Sequence, residues 1–183
     1  MNATTITGAP TYPWSHRAFR LIWKLVWLLA ASWTPPQANL WRVWLLRLFG
    51  ARISWQAKIY SSVQIWYPPN LEMAAYSCLG PRVNCYSMDR IAIGARSVVS
   101  QGVHLCGGSH DIEDHGFRLV TRPIVIGSDV WIAAEAFVGP GSHVNDGAVL
   151  GARTVLCGTA ESHSVYVGNP AKKVRERKIY RGT

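Results

Sequence analysis

A period of six residues constrains this chain more than any other feature. Every sixth position gives Ile53, Ile59, Ile65, Leu71, Ser77 and Val83; after a shift of frame come Ile93, Val99 and Leu105, then Ile126, Ile132, Val138, Val144, Leu150 and Leu156. Fourteen of these fifteen are Ile, Leu or Val, against 43 of all 183 residues, a density that chance would match at about three or four positions. A second column stands four residues further on, from Ala57 and Val63 through Val130, Ala136, Ser142 and Ala148 to Ala160, and it is small or compact. Helices repeat near 3.6 residues and strands at two, so a period of six requires short strands that turn a corner at regular intervals. Each aliphatic then points inward while successive coils stack their backbones into parallel sheets. Gly94, Gly127, Gly139 and Gly151 directly follow an aliphatic, where a tight bend is expected to need a residue without a Cβ.

The hexapeptides IGSDVW, IAAEAF, VGPGSH, VNDGAV and LGARTV match the repeat of the hexapeptide-repeat acyltransferases, and the chain resembles that family from residue 53 to about 174. The resemblance implies an all-β solenoid, a left-handed parallel β-helix with three hexapeptides, about 18 residues, per coil. A helical arm is expected over 1–50, the coil over 51–164, and a closing motif with a short basic C-terminal helix over 165–183. Two interruptions break the ladder. One is the frame shift between Val83 and Ile93. The other is a protruding loop over about 106–123, whose C-G-G-S-H-D-I-E-D-H-G-F-R-L-V-T-R-P carries two His and three acids. A solenoid tolerates insertion at a corner, and such loops carry function disproportionately.

Charge narrows the function classes. The chain holds 19 basic and 10 acidic residues, a net +9. Residues 1–71 contain seven bases and no acid, 172–181 six bases and one acid, and the intervening 72–171 six bases and nine acids. The body is mildly acidic and no recognition motif accompanies the basic ends, which argues against nucleic acid. Cys78, Cys85, Cys106 and Cys157 show no C-x-x-C spacing, so reduced thiols in a cytoplasmic protein are expected and a zinc site on them is not. The purely apolar run from Leu25 to Ala31 is far shorter than the roughly 20 residues of a membrane span; a signal peptide fits it in outline, but the run is at the minimum length, Trp-rich and followed by no convincing small-x-small cleavage site.

His110 lies where the regular coil gives way to the loop. In related sugar and antibiotic O-acetyltransferases a His at this place acts as general base, and the local G-S-H-D resembles the exopolysaccharide branch. Such chemistry needs a group that takes a proton near neutrality, because a sugar hydroxyl is a poor nucleophile until deprotonated. Asp111 adjoins it, either holding the ring or ending the corner with a bond to the backbone. Asn84 and Asp89, in N-C-Y-S-M-D, fall in the region where relatives bind the acceptor; Asn84 reads equally well as a corner residue in a left-handed backbone. Cys106 invites an acyl-enzyme, although direct transfer needs no nucleophilic thiol.

The donor side is implied by the resemblance. Trp131 in D-V-W-I-A matches the family's Trp beside the pantetheine channel, Ser142 falls on the coenzyme A side, and Y-V-G-N-P-A-K-K-V-R matches the closing motif. There Gly168, Asn169 and Pro170 form a turn, and Lys172 and Arg175 stand near the nucleotide phosphates, whose charge gives cations a direct electrostatic reason. Acetyl-CoA is the implied co-substrate and no metal is expected. The rival enzyme is a γ-class carbonic anhydrase, for which His110 and His115 are separated by five residues but no earlier His falls at the expected distance. A non-catalytic scaffold is the rival outside catalysis.

Residues 14–50 stand apart from the repeat as two helices divided by Pro35 and Pro36, the second closing at Gly50. Arg17, Arg20 and Lys24 share one side of the first helix, with Ile22, Val26, Leu29 and Trp33 opposite; Trp41, Trp44, Leu45 and Leu48 share a face of the second. Six of the nine Trp fall in 14–44. This acid-free, Trp-rich pair suits an anionic membrane interface, or a cap over the exposed edge of the first coil. The whole resembles the colanic-acid-type exopolysaccharide O-acetyltransferases, which implies a homotrimer with sites between subunits and a sugar acceptor, free or lipid-linked, in surface-glycan synthesis.

Overall fold

The computed structural model describes residues 12–178 and shows a parallel β-solenoid preceded by two helices. Strands β1 (Arg52–Ile53), β4 (Leu71–Met73), β7 (Ile91–Ile93), β12 (Ile124–Ile126), β15 (His143–Val144) and β18 (Thr159–Ala160) stack in that order as one wall. The second wall is β2 (Lys58–Ile59), β5 (Cys78–Leu79), β8 (Val98–Val99), β13 (Trp131–Ile132), β16 (Val149–Leu150) and β19 (Ser164–Val167), and β20 (Lys172–Glu176) extends it. The third is β3 (Gln64–Ile65), β6 (Asn84–Tyr86), β9 (His104–Cys106), β14 (Phe137–Val138) and β17 (Val155–Leu156). Alternate residues point in, and the interior is a column of Ile, Leu, Val and Ala at near-zero exposure. A chain this polar outside and aliphatic inside draws its stability from that column.

The first coils are longer than the period of six implies. Arg52 pairs with Glu72 and Glu72 with Ala92, 20 residues apart, whereas Val125 pairs with His143, 18 apart. The two additional residues per coil sit at one corner, as a 3-10 turn over Pro68–Asn70 and a bend at Met88 and Asp89. Those corners lock together. The Ser87 hydroxyl donates to Tyr67 O at 3.0 Å and accepts from Tyr67 N at 3.1 Å, while Asn70 Nδ2 donates to the carbonyls of Ser87 and Met88. The frame therefore shifts twice, first after Ile65, and the residues above Ile53, Ile59 and Ile65 are Met73, Leu79 and Cys85. Leu71, Ser77 and Val83, expected in the aliphatic column, fill the second inward position.

Gly94 corrects the bend argument. None of Gly94, Gly127, Gly139 and Gly151 has a left-handed backbone; a Cβ on Gly94 would lie 2.4 Å from the carbonyl carbon of Gly127 on the next coil. Close stacking of coils excludes the side chain there. The left-handed corner positions are shared between other glycines, Gly102, Gly141 and Gly147, and residues with side chains, four of which pair with opposite charge across adjacent coils: Arg96 with Asp129, and Glu135 with Arg153.

The arm seals the open end. Helix α1 (Trp14–Ala30) is followed by a 3-10 turn at Pro36–Ala38 and by α2 (Asn39–Leu48), with Gly50 left-handed just beyond. The unpaired edge of the first coil is satisfied by side chains from these helices. Asn39 donates to Ala57 O and accepts from Ile59 N, Arg42 Nε donates to Ile59 O, Arg47 to Ile53 O, and Trp23 Nε1 to Ile65 O. Buried backbone groups need such partners. At the other end the expected basic helix is replaced, over Lys172–Glu176, by β20 running antiparallel to β19. The free edge of β19 offers a ladder of hydrogen bonds that an isolated five-residue helix could not match.

Candidate active site

The protruding loop is a β-hairpin. The chain leaves the coil at Cys106 and forms β10 (Gly108–His110) against β11 (Leu119–Thr121), with His110 opposite Leu119, and rejoins where Arg122 N donates to Gly107 O at 3.1 Å. Its root presses on the inserted bend of the coil below: a Cβ on Gly108 would lie 2.4 Å from Met88 Sδ. At the tip, Asp114 pairs with Arg118, whose guanidinium holds the Asp114 carboxyl below the usual carboxylate range.

His110 is exposed and has a fixed orientation. Its ring stacks on Phe117 at 4.3 Å between centroids and 10° between planes, and Nδ1 lies 2.8 Å from Phe117 O. A carbonyl can only accept, so Nδ1 carries the proton and Nε2 is left as the basic nitrogen. Asp111 does not hold the ring: its Oδ1 accepts from Glu113 N at 3.1 Å, as a turn residue does. Cys106 donates to Gly108 O at 3.2 Å and serves the hairpin root. Phe117 carries no sequence signal for its role, because the acceptor is a main-chain carbonyl in a backbone at φ 47°.

Asn84 opens β6 on the outer face of the third wall, between Gln64 and His104, and has no left-handed backbone. Asp89 lies in the bend beside the hairpin root, Oδ1 accepting from Arg90 N at 2.6 Å, and Asp89 N lies 3.2 Å from where a Gly107 Cβ would stand. Asp89 and the hairpin root thus share one corner of adjacent coils, while Asn84 lies on the strand that leads into it.

On the second wall Trp131 exposes half its ring and donates from Nε1 to Ser100 Oγ at 3.0 Å. It is in register with Val149, Val149 with Val165, and Val165 with Arg175. Three strand spacings put Arg175 about 14 Å from Trp131 along one row. Gly168 (φ 92°) and the cis Asn169–Pro170 peptide form the turn, pinned where Val155 N donates to Gly168 O and Ala171 N to Val155 O. Lys173 is taken up by Glu161 and Glu176, both at 2.6 Å, which hold its ammonium above the ordinary lysine range. Among the described residues Lys172 and Arg175 make no ion pair, so their charge is available to an anionic ligand. Ser142 is withdrawn from this set: it is fully buried, with Oγ donating to Leu156 O and accepting from Gly158 N.

The sequence is 42% identical over 156 residues to WcaF of Escherichia coli K12, a protein named for acetyl transfer in colanic acid biosynthesis, covering 85% of this chain and 86% of that one. The chain belongs to this family of hexapeptide-repeat acetyltransferases. The fold agrees. A maltose O-acetyltransferase from Clostridium difficile 630 superposes with TM-score 0.80 at 20% identity over 91% of this chain and 90% of its own. A hexapeptide-repeat acetyltransferase of Vibrio cholerae, complexed with acetyl coenzyme A, superposes with TM-score 0.79 at 20% identity over 94% and 92%. No protein-family model matches the sequence. Among the described residues of this acetyltransferase no three His, Cys, Asp or Glu side chains converge.

Proposed function

We propose that the protein transfers an acetyl group from acetyl-CoA to a sugar hydroxyl in the synthesis of a surface polysaccharide. The observation that carries this reading is the Phe117 carbonyl on His110 Nδ1, which leaves Nε2 as a base on an exposed hairpin. Nε2 takes the hydroxyl proton as the oxygen attacks the thioester carbonyl; the tetrahedral intermediate collapses, the C–S bond breaks, and the imidazolium returns its proton to the departing thiolate. Direct transfer suits a Cys106 thiol already engaged with Gly108 O. Asn84 and Asp89 position the acceptor, and Trp131, Lys172 and Arg175 hold the donor along one row, with Gly168 and Asn169 shaping the turn that presents the two cations.

The reading includes a homotrimer whose subunits close the site between them, supported by the exposure of His110 in the single chain. It also includes peripheral attachment to an anionic membrane through residues 14–50. No helix among the described residues is long and apolar enough to cross a membrane. Eleven of the nineteen exposed large apolar side chains nonetheless fall between Trp14 and Leu48, in a segment without acids. The test is release of coenzyme A from acetyl-CoA with a panel of sugars, nucleotide sugars and lipid-linked oligosaccharides, with product acetylation read by mass. Thiol release with no acceptor dependence, or equal activity in His110→Ala, contradicts the reading.

A further inference from the structure

A row of rings runs along the outside of the third wall. Trp66, Tyr86, His104 and Phe137 follow one another with centroids 5.5, 6.5 and 5.4 Å apart. Between α1 and strands β3 and β6 lies a cavity of about 690 Å³, with Trp66, Asn84 and Tyr86 on the coil side and Arg20, Lys24 and Leu28 on the helix side. No carboxylate lines it.

The polar groups around this cavity are short of partners. The Arg20 guanidinium lies 4.2 Å from the Trp66 ring centroid, yet its Nε is buried without a hydrogen-bond partner among the described residues. Neither Arg20 nor Lys24 makes an ion pair among the described residues. With no carboxylate beside them, the two cations of the lining leave their charge to an arriving anion.

The chemistry of the lining narrows the ligand. A guanidinium and an ammonium one helical turn apart favour an oxyanion, and the fork of Arg20 suits phosphate. Trp66 and Tyr86 offer ring faces to the C–H face of a pyranose, and the Asn84 amide both donates and accepts toward hydroxyls. The cavity does not end in water alone. Leu28 belongs to its wall while remaining 58% exposed, and it continues a helical stripe with Leu21 and Leu25, 61% and 48% exposed. A ligand filling the cavity has its sugar on the rings, its charge at the cations and its far end on leucines.

We propose that this cavity is the acceptor subsite, and that Arg20 and Lys24 select a sugar esterified to phosphate and carried on a lipid chain lying along Leu21, Leu25 and Leu28. The assignment deepens the acetyl-transfer reading and rests on it for the fate of the bound sugar.

Calorimetric titration of the full-length protein with farnesyl phosphate, farnesol and glucose 1-phosphate tests it. Farnesyl phosphate is expected to bind at least ten-fold more tightly than farnesol, and more tightly than glucose 1-phosphate. Arg20→Gln and Lys24→Gln should each weaken it at least five-fold. Lys58→Gln, the same loss of charge on a neighbouring wall, should stay within two-fold. Lys24 is exposed, so its variant keeps the test valid if Arg20→Gln fails to fold. Equal binding of farnesol, or unchanged binding by folded Lys24→Gln, overturns the phosphate assignment; tighter binding of glucose 1-phosphate overturns the lipid carrier. Acetyl transfer to a sugar by a protein that does not bind farnesyl phosphate would remove this subsite and leave the reaction standing, and binding without any use of acetyl-CoA would do the reverse.

Discussion

His110 and Phe117 meet twice across the hairpin, ring on ring at 4.3 Å and Nδ1 to carbonyl at 2.8 Å. The two contacts make separable predictions. His110→Ala removes the proposed base and should lower kcat by about 10²–10⁴-fold with the KM for acetyl-CoA little changed. Phe117→Ala keeps the carbonyl and loses only the stacked ring, so a drop of about ten-fold is expected. A Phe117→Ala loss as large as that of His110→Ala would mean that the ring, rather than the main chain, orients the base.

Trp131 and Arg175 occupy one row of the second wall, which makes the donor side testable by the split between kcat and KM. Neutralising Lys172 and Arg175 together should raise the KM for acetyl-CoA about ten-fold or more with kcat and the acceptor KM nearly constant, as expected for charge-assisted contacts to phosphate. Lys173→Ala is the internal control. Its ammonium is already paired with Glu161 and Glu176, so it should leave both KM values alone.

Several of these features were legible in sequence because they are written in side chains. The aliphatic period gave the solenoid, and Pro35, Pro36 and Gly50 gave the two helices. The first frame shift was hidden for a physical reason. Each wall has two inward positions, so Leu71 and Val83 are buried in either frame, and a slip of two residues leaves apolar residues in the column. The strand at Lys172–Glu176 was misread as a helix because the free edge of β19 that recruits it is a tertiary feature. The partner of His110 was illegible because a carbonyl belongs to every residue. The place of His110 at the edge of the loop was legible from the interrupted ladder, whereas its expected role as a base came only through resemblance to relatives.

The exposed face of the arm should behave as a membrane surface. Leu25→Asp with Leu29→Asp changes two side chains that are 48% and 71% exposed, so the fold should survive. Wild type is expected to sediment with phosphatidylglycerol vesicles, to be released progressively by salt, and to ignore phosphatidylcholine. The double variant should remain in the supernatant with an unchanged melting temperature. Equal recovery of wild type and variant with anionic vesicles would remove membrane attachment through this face.

Arg42 makes the opposite case within the same basic arm. It is 1% exposed and donates to Ile59 O, Pro35 O, Pro36 O and Thr34 Oγ1. Burial lowers its pKa, but arginine starts so high that the group stays charged. Arg42→Met fills much of the volume and leaves the carbonyls without donors, so it should destabilise the protein by about 2–4 kcal/mol in denaturant unfolding. Vesicle binding by the folded fraction should be unchanged, because this cation never reaches the surface.

His104 gives the fold a titration that can be read directly. It lies between Tyr86 and Phe137 with Nε2 buried and unpartnered among the described residues, and burial lowers its pKa from the ordinary His value. Between that ordinary value, about 6.5, and the lowered one, the unfolded chain takes up a proton that the folded chain refuses. Falling pH therefore favours unfolding across that window, and the stability is fully present only above it. His104→Phe preserves the ring between its neighbours and removes the proton site. The variant should lose less melting temperature than wild type between pH 7.5 and pH 5, as an order-of-magnitude window about the ordinary His value. The carboxylates cannot mimic the effect: Glu72 is held below its ordinary value by Arg90 and Arg52, so its stabilising contribution is lost only at more acid pH. Parallel melting curves for the two proteins across that range would show that His104 takes up its proton equally in the folded and unfolded chain.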